Sequence, residues 1–280
     1  MIYEKKPYFK YDTEATFESG VGILRIYLPT ERGFVNYNIV HSVKSEAFAD
    51  VYRLGKAFAC DDNFENEFPI TPERAEWDMA IKIVGREDFI GGVIHGDEVS
   101  GELLVTVDGK CVDVTKITDL TPFTEMNVTV DSVGYDPLDH KTEALIHKKE
   151  CTIDKNGITS RQSVEFLGDF NLENSYLAMM PPCKDYTDSY FTDKNAIPLQ
   201  VSSGITVDGA KSATVFGKES GISFTMSIPE YPKVENGDKF FISDNSGRNY
   251  NKMYFPVTTK TNVKAGDTWI SLTKYEIAIS

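Results

Sequence analysis

Apolar and polar side chains alternate with a period of two through this chain, and Gly, Asn or Asp punctuates the alternation at short intervals. Met126-Asn127-Val128-Thr129-Val130-Asp131 alternates throughout. Val105-Thr106-Val107 does so up to Asp108-Gly109, after which Cys111-Val112-Asp113-Val114 resumes the pattern. Successive side chains of an extended strand face opposite ways, so this pattern builds one apolar and one polar face. Asp-Gly between two such runs signals a two-residue hairpin, whose central residues need positive φ. Asn156-Gly157, Asp208-Gly209, Asn236-Gly237 and Ser246-Gly247 repeat the punctuation. Only Pro72-Glu73-Arg74-Ala75-Glu76-Trp77, with Thr71 as N-cap, reads as a helical turn. The expected fold class is all-β, a large antiparallel β-sandwich with a concave face. Residues 20–280 are expected to form the single sandwich domain, and residues 1–19 an N-terminal arm or lead-in strand.

Composition narrows the function classes. A chain of 280 residues can bury a sizeable core. Aromatic residues make up 12%, which suits strands or a ligand-stacking surface. Basic residues number 29 and acidic ones 43, a net charge of −14 that repels phosphate backbones, so no nucleic-acid partner is expected. No run of 18 apolar residues is present, and no membrane span is expected. The N-terminus, Met1-Ile2-Tyr3-Glu4-Lys5-Lys6-Pro7, lacks an apolar signal core. The expected location is cytoplasmic, or a particle released by lysis, unless a signal peptide has been removed. Cys60, Cys111, Cys151 and Cys183 contain no CxxC pair and read as reduced small hydrophobes. The residues call for no cofactor and no metal. Asp61-Asp62-Asn63-Phe64-Glu65-Asn66-Glu67 looks like a calcium loop, but Asn66 stands where the EF-hand needs Gly and Pro72 where it needs the bidentate Glu, which leaves only irregular calcium binding open.

Three stretches carry candidate chemistry. In Phe89-Ile90-Gly91-Gly92-Val93-Ile94-His95-Gly96-Asp97-Glu98, glycines in a strand-like run mark a bulge or a close approach. His95 reads there either as a surface histidine on a bulged turn or as a general base that Asp97 and Glu98 orient. In Ala144 to Asp154, period two places Leu145, His147, Lys149, Cys151 and Ile153 on one face. The return arm Ser160-Arg161-Gln162-Ser163-Val164-Glu165-Phe166 follows Asn156-Gly157. His147, Arg161, Gln162, Ser163 and Glu165 read as a ligand floor or as a solvated strand face. In Asp244 to Phe255, Arg248 can fork onto a carboxylate, Asn249 can donate to it, and Tyr250 can donate a proton or stack on a sugar. GxSxG, Walker A, GxGxxG after a strand and HExxH are absent.

Two segments resemble the strands of galactose mutarotase-like sandwiches. One runs from Val164-Glu165-Phe166-Leu167-Gly168-Asp169 through Ser175-Tyr176-Leu177-Ala178-Met179-Met180-Pro181; the other is Gly266-Asp267-Thr268-Trp269-Ile270-Ser271 with Lys274-Tyr275-Glu276-Ile277. The resemblance covers residues 78–280 and rests on pattern. It implies a carbohydrate partner and sugar chemistry of the epimerase or polysaccharide lyase type, with a histidine–carboxylate pair drawn from His95 or His147 and Glu165 or Glu276. The Gly-Gly-x-x-His-Gly-Asp-Glu string also resembles strings of phage tail proteins, which implies the alternative of a non-catalytic glycan- or receptor-binding protein. A lyase needs a base, a group that neutralises the uronate carboxylate, and an acid. The expected roles are His95 or His147 as base, Arg248 with Asn249 as neutraliser and Tyr250 as acid, with Arg161, Gln162 and Glu165 binding substrate.

Overall fold

The computed structural model describes the chain except residues 1, 14–19, 73–76, 78, 93–94, 203, 235–238 and 245–246, and omits the side chains of residues 256 and 257. Its strands begin with β1 (Tyr8–Asp12), β2 (Gly20–Pro29), β3 (Phe34–Lys44), β4 (Ala49–Cys60), β5 (Glu67–Pro69), β6 (Ala80–Ile83), β7 (Ile90–Gly91) and β8 (Glu98–Ser100). Next come β9 (Leu104–Val107), β10 (Lys110–Cys111), β11 (Thr121–Pro122), β12 (Met126–Tyr135), β13 (Glu143–Asp154), β14 (Gly157–Phe166), β15 (Phe170–Met180) and β16 (Ser189–Thr192). The last are β17 (Asn195–Gln200), β18 (Ile205–Asp208), β19 (Ser212–Phe216), β20 (Ile222–Glu230), β21 (Lys239–Asp244), β22 (Asn251–Thr258), β23 (Thr261–Val263) and β24 (Thr268–Ile279). Among the described residues the only helices are three short 3-10 turns, so the all-β expectation holds. The helical turn expected near residues 72–77 falls largely outside the described residues.

Two sheets face each other. The larger runs β11–β1–β2–β3–β4, passes through β8 to β12, and continues β13–β14–β24–β20–β19–β16–β17. Every pairing in it is antiparallel except β4 with β8. The smaller runs β18–β21–β22–β15–β6–β7, with β23 on β15. The Asp108-Gly109 hairpin forms as the sequence predicts, with φ of 49° and 77° at its two central residues and Lys110 opposite Val107.

The small sheet covers the middle of the large one. Ile81, Ile83, Leu172 and Leu177 pack on Leu145, Val164, Phe166 and Trp269, all buried. Burying an aliphatic or aromatic side chain of this size contributes about 1.5–3 kcal/mol, so this contact is what holds β6 and β15 in place. Trp77 is buried between Tyr37 of β3 and Tyr275 of β24, and the Tyr275 hydroxyl donates to the Trp77 carbonyl at 2.7 Å. That contact ties the N-terminal strands to the C-terminal one. β13 buries Leu145, His147, Lys149, Cys151 and Ile153, the face that period two assigns. Cys60, Cys151 and Cys183 are buried and Cys111 exposed; all four are free thiols.

Candidate functional site

The segment from Ile90 to Ser100 organises three of the chain's four histidines. Gly91 has φ of 83°, and its amide donates to the Gly96 carbonyl at 2.9 Å, so the chain reverses between them. A Cβ on Gly91 would lie 2.8 Å from the Met79 carbonyl oxygen, and one on Gly96 only 1.8 Å from that of Ala47. Both positions therefore need glycine for close backbone approach as well as for φ. Beyond the reversal, Asp97, outside any strand at φ of 53°, and Glu98, the first residue of β8, take different partners.

His95 sits over Phe89, ring centroids 4.6 Å apart, and its Nδ1 meets Asp88 Oδ1 at 2.5 Å. A carboxylate only accepts, so the His95 Nδ1 donates to Asp88. Asp88 Oδ1 also accepts from the Phe89 amide at 2.8 Å, which fixes the carboxylate. The His95 side chain is 23% exposed. The sequence reading expected Asp97 and Glu98 to orient His95; the carboxylate at its Nδ1 is Asp88, while Asp97 pairs with His140 and Glu98 with Ser132 and His147.

Asp97 is buried, has φ of 53°, and pairs with His140. Burial pushes its carboxyl above the ordinary aspartate value, and His140 offsets this only in part. The turn carrying His140 is anchored by Arg86, whose Nε and Nη2 fork onto both oxygens of Asp136 at 2.6 and 2.7 Å. This pair holds the Asp136 carboxyl below its ordinary range.

Glu98 enters the space between the sheets. Its Oε1 accepts from Ser132 Oγ at 2.5 Å and faces His147 Nδ1 at 2.9 Å. His147 Nε2 faces Gln162 Oε1 at 3.1 Å, while Gln162 Nε2 donates to the Leu177 carbonyl at 2.8 Å. The imidazole thus bridges the Glu98 carboxylate and the Gln162 amide oxygen within the sandwich. Burial pushes the Glu98 carboxyl up, but the His147 hydrogen bond and charge, with Ser132 and Lys149, outweigh it and hold the carboxyl below the ordinary glutamate value.

An aromatic row extends from Phe89 across the outer face of the small sheet. Phe89 neighbours Tyr176 at 6.4 Å, Tyr176 neighbours Tyr254 at 5.0 Å, and Tyr254 neighbours Phe241 at 5.9 Å. Lys82 Nζ lies 4.9 Å from the Phe89 ring centre. Lys252 Nζ lies 5.3 Å from that of Tyr254 and 5.7 Å from that of Tyr250. Two ammonium groups thus lie over this line of rings.

The expected site residues separate into three places. His147 and Gln162 meet, but inside the sandwich, 2% and 0% exposed. Arg161 and Glu165 lie on the opposite face of β14, toward solvent, with Arg161 Nη1 3.9 Å from Glu150 Oε2. The expected shared floor is therefore split between the two faces of the strand. Arg248 and Asn249 are exposed in the turn before β22, where the Asn249 carbonyl accepts from the Lys184 amide at 2.9 Å. Tyr250 stands at the far end of the aromatic row from His95. Sequence reasoning passed over Asp88, Lys82, Lys252 and the three rings Phe89, Tyr176 and Tyr254. Tyr250-x-Lys252-x-Tyr254 is a period-two signal that places these on one face, and the Gly91-Gly92 reversal is the signal that brings Asp88 back to His95.

No protein-family model matches the chain, and no curated protein matches it. The galactosidase domain of an α-galactosidase–sucrose kinase is similar over 90% of this chain, at TM-score 0.47 and 9% identity; the match spans 40% of that longer chain. A galactose mutarotase-like protein from Clostridium acetobutylicum is similar over 92% of this chain and 96% of its own, at TM-score 0.46 and 9% identity.

Proposed function

We propose that this chain is a carbohydrate-processing protein that lays an acidic sugar along the outer face of the small sheet, with His95 as the reacting base. The observation that carries this reading is the Asp88–His95 pair set against Phe89 at one end of the aromatic row. Pyranose rings present apolar C–H faces that stack on Phe and Tyr, and their hydroxyls stay solvated. Lys82 and Lys252 suit a uronate carboxylate.

The reaction class that uses these groups is β-elimination. His95 Nε2 takes the proton α to the uronate carboxylate, and Lys82 stabilises the charge that develops on that carboxylate. The C–H electron pair becomes the new C=C bond, the bond to the leaving oxygen breaks, and that oxygen takes a proton from a water molecule. Tyr250, at the far end of the row, would hold the distant part of the sugar chain, and the exposed Arg248 and Asn249 would extend that contact. Asp88 acts as a positioning residue.

The test is a panel of uronate polysaccharides followed by the ultraviolet absorbance of the unsaturated product. Product that is made by the wild type and lost in folded His95→Ala supports the elimination. Binding without product, weakened by Tyr254→Ala, supports a glycan-binding protein on the same face. If no polysaccharide of the panel binds or reacts, the reading fails.

A further inference from the structure

We propose a second ligand site, for a neutral polyhydroxylated ligand such as a hexose unit, in the cavity between the loop after β4 and the outer face of β1 and β2. It stands independently of the His95 face. The cavity has a volume of about 600 Å³ and is lined by residues that include Lys10, Asp12, Arg25, Tyr27, Phe64 and Glu67. Pockets of roughly 300–1,000 Å³ are the usual size for small ligands.

Its floor is a preorganised array of charged and polar groups. Arg25 Nε and Nη2 bond Asp12 Oδ2 at 3.3 and 3.2 Å, and its Nη1 lies 3.5 Å from Glu67 Oε2. Glu67 Oε1 accepts from Asn36 Nδ2 at 3.2 Å and Cys60 Sγ at 3.4 Å. The Arg25, Glu67 and Asp12 side chains are 15%, 24% and 32% exposed, so the array is partly screened from water and borders the cavity. Groups already held in place lose little freedom when a ligand arrives.

The wall is aromatic and strained. Phe64 has φ of 59°, an unusual conformation for a bulky residue. Its ring lies 4.8 Å from both Tyr3 and Tyr27 and 4.6 Å from Phe34. Strain of this kind persists only where packing over-determines it, and it concentrates at ligand clamps. The Asp61 carboxylate does not face the cavity as a calcium ligand would: it accepts from the Glu65 amide at 3.0 Å and Asn66 Nδ2 at 2.6 Å. The Asp61 carboxylate is thus held within its own turn, while Asn63, Phe64 and Glu65 line the cavity, Asn63 Nδ2 donating to Glu65 Oε2 at 2.7 Å.

The ligand class follows from the mixture of charges. A phosphate would meet the carboxylates of Asp12, Glu65 and Glu67, and an organic cation would meet Lys10 and Arg25. A hydroxyl both donates and accepts, so neighbouring hydroxyls satisfy both signs at once. The ring C–H face then packs on Tyr27 or Phe64.

The experiment measures binding of neutral gluco-, galacto- and manno-oligosaccharides by saturation-transfer NMR and calorimetry, with inorganic phosphate and putrescine as controls. We expect one of the sugars to bind, and Arg25→Ala to weaken it roughly tenfold or more, the scale of losing a charge-assisted hydrogen bond. Lys10→Ala combined with Asn63→Ala should weaken it several-fold with the melting temperature unchanged, which covers the case in which Arg25→Ala fails to fold. Tyr254→Ala should leave this binding intact. Silence of every neutral sugar at millimolar concentration overturns the proposal. So does binding that follows Tyr254 and ignores the cavity variants, or binding of phosphate or putrescine in the cavity instead.

Discussion

Asp88–His95 and Glu98–His147 are the same chemical pair in two settings. Each sets a carboxylate oxygen against an imidazole Nδ1, at 2.5 Å outside and 2.9 Å inside. The outer pair leans on an aromatic ring at the surface; the inner pair is enclosed between two sheets and bonded on its far side to Gln162. A base must reach a substrate and change charge during the reaction. The outer histidine is 23% exposed, whereas the inner one is 3% exposed and closed off between the sheets. The difference teaches that one histidine–carboxylate pattern can fold into two degrees of access, one enclosed between the sheets and one at the surface.

The comparison is broken most directly by removing one partner of each pair. His147→Ala leaves the Glu98 carboxylate buried without its imidazole partner. Losses of about 3–5 kcal/mol are typical of such half-removed buried pairs, a fall in melting temperature of roughly 10 °C for a chain of this size. His95→Ala should cost under about 1 kcal/mol, because water can replace the ring. Urea unfolding of both variants decides, and equal losses would erase the distinction between the enclosed pair and the surface one.

Activity should divide the other way. On whichever uronate polymer the wild type cleaves, His95→Ala should lower kcat/KM by roughly 10²-fold or more. Asp88→Asn should lower it less and shift the acid limb of its pH profile, because Asp88 acts only through His95. A folded His95→Ala variant with full activity would return the site to another part of the molecule.

Period two made much of this legible. It assigned the buried face of β13 residue by residue, and Asp108-Gly109 announced its hairpin. The same rule also forbids the expected floor, since Arg161 and Gln162 are adjacent in one strand and cannot share a face. Illegible from pattern were the partners across loops. Asp88 reaches His95 only through the Gly91-Gly92 reversal, and Glu98 meets His147 only because β8 lies beside β12. Such contacts depend on sheet order, which alternation does not encode. Tyr176 and Tyr254 belong to strands far apart in sequence that pair in the small sheet.

Asp97 and Glu98 sharpen the contrast by pH. The Glu98 carboxyl lies below its unfolded value, so its stabilisation is full above that value and is lost as pH falls through the folded one. The Asp97 carboxyl lies above its unfolded value, so its contribution is full below the unfolded value and is lost as pH rises through the folded one. Across the carboxylate range, the stability of wild type relative to Glu98→Gln should therefore rise with pH, while that relative to Asp97→Asn should fall. Slopes of the same sign would show that the two neighbouring carboxyls share one environment.

The smallest effect is expected on the far face of β14. Arg161 and Glu165 alternate with Gln162 and Val164, so both lie on the side away from the inner polar chain. Arg161 and Glu150 are each 43% exposed and 3.9 Å apart, a distance and exposure at which solvent screens most of the attraction. Arg161→Ala and Glu165→Ala should each change stability by no more than about 0.5 kcal/mol and leave binding to the aromatic row unchanged. Gln162→Ala, one residue away, removes the amide that joins His147 to the Leu177 carbonyl, and should cost about 1–3 kcal/mol through the acceptor and donor left unpaired. A ligand-binding loss in Arg161→Ala comparable to that in Tyr254→Ala would place substrate on the outer face of the large sheet and move the site away from His95.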